Sequence, residues 1–140
     1  MIRNALFCLP FAGLLLAASA SAGDLQVDLG GIRVQTGSVR LALVDSSAGW
    51  DGKAAPVQAQ ALVPTADQAH VVFKDVAAGD YAVLVTHDEN GNGKLDTNLV
   101  GMPVEGYGFS NNPQVMRKPT FDEARVHVPA DGAAIRIALR

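Results

Sequence analysis

The sequence predicts an all-β fold, a single antiparallel β-sandwich of about seven strands with one long functional loop. Three observations carry that expectation. Apolar residues recur with a period near two from Asp24 onward, the mark of strands with one buried face. Clusters of Gly, Pro, Asn and Asp interrupt these runs at short spacing. No segment sustains a helical period.

In chain order, Leu25, Val27 and Leu29 alternate with Gln26 and Asp28, and after Gly30-Gly31 the alternation resumes at Ile32 and Val34. This gives one bent strand or two short ones. Past a turn at Gly37-Ser38, Val39, Leu41 and Leu43 alternate with Arg40 and Ala42. Ser46 to Pro56 is rich in turn formers and predicts a surface loop, its Trp50 tucked over a sheet edge or partly exposed. Val57 to Val63 makes a weak strand, and Ala69, Val71 and Phe73 alternate with His70, Val72 and Lys74. Tyr81 to Thr86 is almost continuously apolar and predicts a central strand covered on both faces. A long polar excursion leaves from its end. Ala124, Val126 and Val128 alternate next, with room for half a helical turn at Asp122-Glu123-Ala124, and after the turn at Pro129 to Gly132 come Ile135, Ile137 and Leu139.

Residues 1–22 read as a cleavable signal peptide, and residues 23–140 as one domain. Arg3 supplies the positive start, Ala5 to Ala18 the apolar stretch, and Ala20-Ser21-Ala22 the small-residue cleavage signal. The expected location is secreted, in the periplasm. The apolar stretch is short for a bilayer span and no later one is long and uncharged enough, so no membrane insertion is expected. Cys8, the one cysteine of the chain, lies within the leader, which excludes disulfides, thiolate metal sites and cysteine nucleophiles from the mature protein. Without Arg3 there remain ten basic and fourteen acidic residues, with no basic cluster, so nucleic acid is not an expected partner. Aromatic residues are sparse, which argues against a broad carbohydrate platform.

The excursion holds a candidate ion site. Asp88, Asn90, Asn92 and Asp96, with Gly93 among them, fit D-x-N-x-N-G-x-L-D, the first nine positions of an EF-hand-type calcium loop. Alternating oxygen side chains face one centre, and glycine at the sixth place permits the turn that brings in a backbone carbonyl, here that of Lys94. Oxygen ligands without His or Cys suit Ca²⁺. Leu99 stands where the loop's last, bidentate Glu belongs, and the flanks read as strands. Glu105 or Glu89 would have to replace that carboxylate, and affinity near the millimolar range is the most expected. The competing reading is a self-ordered turn, in which Asn and Gly adopt left-handed conformations and Asp88 and Asp96 cap backbone amides.

His87 beside Asp88 offers a general base, and with Glu105 the set would suit a small envelope hydrolase or lyase. No nucleophile or oxyanion device accompanies it, and Ser110 lacks a triad context. His70 and His127 fall at solvent-side strand positions. Tyr107, Phe109, Asn111 and Asn112 lie in a glycine-rich run whose composition suits an interaction loop. Alternatively, the two aromatics fold back over the open end of the sandwich.

Gly79-Asp80-Tyr81-Ala82-Val83, His87 to Asp96, Gly101 to Asn112 and Pro119 to Ala124 together resemble a family of secreted bacterial domains of unknown function. The resemblance covers nearly the whole mature chain. It implies a transthyretin-like or carboxypeptidase-regulatory-like (Ig-like) sandwich and no known catalytic activity. The combined expectation is a non-enzymatic secreted module with a weak Ca²⁺ loop and an interaction loop at 101–112, serving a protein, peptide or glycan partner. A purely structural accessory domain is the further alternative.

Overall fold

A computed structural model describes residues 22–140. Apart from Ala22, the signal peptide read at residues 1–22 lies outside the described residues. Eight strands and two single-turn helices follow in the order β1 (Ala22–Gly30), β2 (Ser38–Val44), α1 (Ser47–Trp50), β3 (Gln58–Leu62), β4 (Gln68–Ala77), β5 (Gly79–Asp88), β6 (Tyr107–Phe109), α2 (Phe121–Ala124), β7 (Val126–Val128) and β8 (Ala133–Ala138) among the described residues.

They form two facing sheets, as the alternation predicts. One has the order β4-β1-β8, and the other β3-β2-β5-β6 with β7 joined to the start of β5. Pairing is antiparallel except between β1 and β8, which run parallel from Leu25↔Ala133 to Gly30↔Ala138. This pair joins the two ends of the described chain, a contact that no local pattern encodes.

The core lies between the sheets because the inward set of each strand is apolar. Leu25, Val27, Leu29, Phe73 and Ile137 meet Val39, Leu41, Leu43, Val83 and Val85, each 2% exposed or less. Burying a side chain of this size stabilises by roughly 1.5–3 kcal/mol. A second, smaller cluster covers the opposite face of the five-stranded sheet, where Trp50, Ala82, Phe109 and Ala124 pack on Val44. Trp50 is therefore buried over the sheet, and its Nε1–H donates to the Pro119 carbonyl at 2.8 Å.

The two clusters explain the continuous apolar run of β5, which is covered on both faces. Its outer edge is shared by two short partners, β7 at Gly79–Tyr81 and β6 at Leu84–Thr86. Ser110 fills the gap between them. Its Oγ accepts from the Val83 N–H at 2.8 Å, its own N–H donates to the Val83 carbonyl, and its hydroxyl donates to the Ala124 carbonyl. The residue is thus an edge patch, consistent with its lack of a triad.

Tyr107 to Phe109 forms a strand where the sequence suggested a loop folding back over the sandwich. Pairing with β5 places Tyr107 and Phe109 on the outer face, each opposite a β5 residue, Thr86 and Leu84. Asp122 lies in α2, whose Thr120 N-cap and Glu123 complete a capping box.

Candidate functional site

The polar excursion begins at Asp88, the last residue of β5, and its first half is folded by side-chain oxygens on backbone amides. Asp88 Oδ1 accepts from the Asn92 N–H at 3.0 Å and Oδ2 from the Gly93 N–H at 2.8 Å. Arg40 stands 3.6 Å from Oδ2 and donates to the Gly93 carbonyl. Asn90 Oδ1 accepts from the Asn92 N–H and Asn92 Oδ1 from the Lys94 N–H, the local turns these side chains favour. Gly93 has a φ of 88°, a left-handed conformation open to glycine at little steric cost.

Asp96 lies across the loop, where its carboxylate accepts from Asn90 Nδ2 at 2.6 Å and from Asn92 Nδ2 at 2.8 Å. These amide donors hold its carboxyl below the usual carboxylate range. Glu105 enters from the return arm and is 5% exposed. Its Oε1 accepts from the Glu89 and Asn90 N–H groups at 2.9 and 3.3 Å, and its Oε2 from the Asp96 N–H at 2.8 Å.

The predicted ligand residues Asp88, Asn90, Asn92, Asp96 and Glu105 thus gather in one loop, with Lys94 between Asn92 and Asp96. Both oxygens of Asp88 and of Glu105 meet backbone amides, and the donors facing Asp96 are the Asn90 and Asn92 side-chain amides. Among the described residues, no three His, Cys, Asp or Glu side chains are grouped to hold a metal ion. As a calcium shell the donor set is therefore partial, an oxygen-rich loop in which Asn amide hydrogens face the one carboxylate free of backbone amides.

Glu89 and His87 form a second tier. Glu89 Oε1 accepts from Arg33 at 2.7 Å and from the Gly106 N–H at 2.9 Å. Burial pushes its carboxyl up, but the Arg33 guanidinium and the Gly106 amide outweigh burial and leave it lowered. Arg33 also donates to the Val104 carbonyl, and Thr36 Oγ1 to the Glu89 carbonyl. His87 points to the inner face, fully buried, with Nε2 2.8 Å from the Thr36 carbonyl. Since a carbonyl only accepts, Nε2 carries the hydrogen. Nδ1 is the buried side-chain polar atom without a hydrogen bond among the described residues, and it lies 4.0 Å from Glu89 Oε1. His87 and Asp88 therefore face opposite sides of β5, with Asp88 and Glu105 bound to loop amides.

The second half of the excursion walls an apolar cavity of about 460 Å³ on the outer face of the five-stranded sheet. Leu84, Thr86, Tyr107 and Phe109 of the paired strands β5 and β6 line it, together with Leu95, Met102, Val115 and Met116. Asn111 and Asn112 tie this region down. Asn111 Nδ2 donates to the Glu123 carbonyl, while Asn112 donates to the Arg136 carbonyl and accepts from the Ala138 N–H, extending the edge of β8. His70 and His127 lie at the surface beside Asp28 and Asp80.

Sequence reasoning did not identify Arg33, Thr36 and Arg40 as braces, because their partners lie more than 50 positions away. Nor did it find the cavity. The available signal was the apolar content of the excursion itself, where Leu95 and Met102 line the cavity and Leu99, Val100 and Val104 are exposed.

No curated protein and no solved structure matches this chain. A family model described as an uncharacterized protein conserved in bacteria (DUF2141) matches residues 27–136, from β1 into β8 and including the entire excursion. The chain belongs to that bacterial family.

Proposed function

We propose that this protein is a secreted, periplasmic, non-enzymatic binding module whose ligand enters the cavity walled by the excursion. The carrying observation is that cavity, floored by the outer face of the five-stranded sheet and walled by residues of an excursion whose first half is polar. Ligand sites are typically concave, largely apolar and roughly 300–1,000 Å³ in volume. The leader read at residues 1–22 supports the compartment. The non-catalytic reading is supported by His87, Asp88 and Glu105, which are buried and hydrogen-bonded to the main chain instead of lining a shared cleft.

Calcium enters this reading as a weak ordering ligand of the 88–96 loop, with Asn90 and Asn92 turning their oxygens toward the ion that Asp96 attracts. With a Kd on the order of 1 mM, about 10 mM Ca²⁺ stabilises by about 1.4 kcal/mol, a rise of a few degrees in Tm. Asp88→Ala with Asp96→Ala abolishes that rise. An unchanged melting curve shows the loop to be self-ordered and removes the ion from the proposal.

The cavity is tested separately with the neutral, environment-sensitive dye N-phenyl-1-naphthylamine. Its emission should increase with the native protein and fail to do so with Met102→Asp, which places a charge in the cavity wall. Equal emission with the two proteins, both folded by circular dichroism, overturns the binding reading.

A further inference from the structure

We infer that the cavity over Leu84 takes a single-chain anionic amphiphile, an acyl chain ending in a carboxylate-like head, as a free monomer. The inference rests on the binding reading above and names its ligand class. The lining is mostly apolar, and two of its residues are methionines, whose unbranched side chains adapt to a flexible guest. Met116 is 91% exposed, so a large apolar side chain stands at the mouth in water.

The charges are one-sided. Arg117, Lys118 and Arg140 line the cavity, and no Asp or Glu side chain does. Arg117 is matched by a two-pronged pair with Glu123 at 2.7 and 2.8 Å. Lys118 and Arg140 form no ion pair with an Asp or Glu side chain among the described residues. Lys118 stands 5.0 Å over the Trp50 ring and donates to the Trp50 carbonyl. Arg140 stands 5.5 Å over Tyr107 and donates to the Pro113 carbonyl, while its main-chain oxygen accepts from the Tyr107 N–H. Two such cations at an apolar cavity, on a chain of net charge −3, complement an anionic head joined to an apolar body.

The lining also discriminates among guests. A peptide or glycan brings polar groups along its whole length, each costly to bury without a partner. The neutral polar side chains here are Thr86 and Tyr107. An acyl chain carries no such groups. Leu84 moreover borders two further hollows, one beside Trp50 and one over Ala42, Ala59 and Ala61, which leave room across the sheet for a longer chain.

The test is calorimetric titration of the full protein with hexanoate, octanoate, decanoate, 1-decanol and decyltrimethylammonium, all below micelle formation. Affinity should rise about fourfold per methylene along the carboxylates, the value for a buried CH₂. Decanoate should bind about tenfold more tightly than decanol, as expected for one charge-assisted contact, and the ammonium more weakly than either. Lys118→Gln with Arg140→Gln should bring decanoate to the level of decanol and leave decanol unchanged. Either single variant, reducing the gap partway, serves if the double variant misfolds. Equal binding of decanol and decanoate overturns the anionic class while leaving the binding module intact. No binding of any chain, together with no dye uptake, overturns the module reading itself. Tighter binding of an acidic peptide than of decanoate, or co-sedimentation with phosphatidylglycerol vesicles without decanoate binding, also overturns the inference.

Discussion

Replacing Glu105 by alanine tests whether the excursion is held by its carboxylates. The side chain is buried, and it meets the Glu89, Asn90 and Asp96 N–H groups at 2.9, 3.3 and 2.8 Å. Hydrogen bonds to a charged acceptor are worth about 1.5–3 kcal/mol each, and a buried donor left without an acceptor loses that and its hydration. The two short bonds dominate and the long one adds little. Water reaches the exposed Asn90 and recovers part of the loss. The expected cost of Glu105→Ala is therefore about 3 kcal/mol, and that of Glu105→Gln, which keeps one acceptor oxygen, about half as much. Urea unfolding followed by Trp50 fluorescence measures both, with the slope m unchanged if only the native state is affected. Amide exchange at Glu89, Asn90 and Asp96 should quicken before the rest of the sandwich opens. A Glu105→Ala variant within about 0.5 kcal/mol of the parent, the scatter of ordinary surface substitutions, would refute the reasoning.

Gly37 has a φ of 70°, and a Cβ there would lie 1.8 Å from the Asp88 carbonyl oxygen. Gly37→Ala should cost at least about 2 kcal/mol, against about 1 kcal/mol for Gly52→Ala, where φ is also left-handed but the space is open; equal losses in urea unfolding would deny the close approach. Glu89 is held below the ordinary glutamate range, and Glu123 is lowered to about 2 by Arg117 and the Thr120 N–H. Since a lowered folded pKa means that the unfolded chain binds more protons, stability should be full above about pH 4.5 and fall as pH drops toward about 2. Urea midpoints between about pH 2 and 6 measure this, and an unchanged slope in the Glu89→Gln, Glu123→Gln double variant would rule out these two groups as the cause.

What the sequence disclosed follows the range of each interaction. Strands with one buried face write their environment into alternation, so β1, β2, β4 and β8 were readable from Leu25, Val39, Val71 and Ile135 onward. The Asp88 and Asn90 turns were equally readable, because side chain and amide lie within five positions. β6 was not, since only three residues pair and Gly108 weakens strand propensity. The structure supplies the reason for that glycine: a Cβ would lie 2.8 Å from Ile137 Cγ2, so β8 passes against this backbone. Glu105 reads in the sequence as a carboxylate for an ion, but its oxygens accept from amides of the 88–96 loop, a geometry set by where the chain returns. The cavity required both arms and the segment after Asn112 to be placed at once, which no local pattern encodes.

The two halves of the excursion use opposite chemistries, and each makes the other possible. A loop that leaves Met102 and Val104 half-exposed and Leu99 fully so cannot be ordered by burying those side chains. Asp88, Glu89 and Glu105 supply the order instead, by gathering amides from both arms, with Arg33 and Arg40 clamping it to the strand β2 and the segment before it. A wall held by hydrogen bonds leaves its apolar surface available to a guest, and a guest entering a formed cavity loses little further conformational entropy in the protein. On this argument the acidic loop is the frame of the proposed binding site, and Leu84, Met102 and Phe109 are its surface. Weakening the frame should therefore lower the affinity for the proposed guest, although Asp88, Glu89 and Glu105 do not line the cavity.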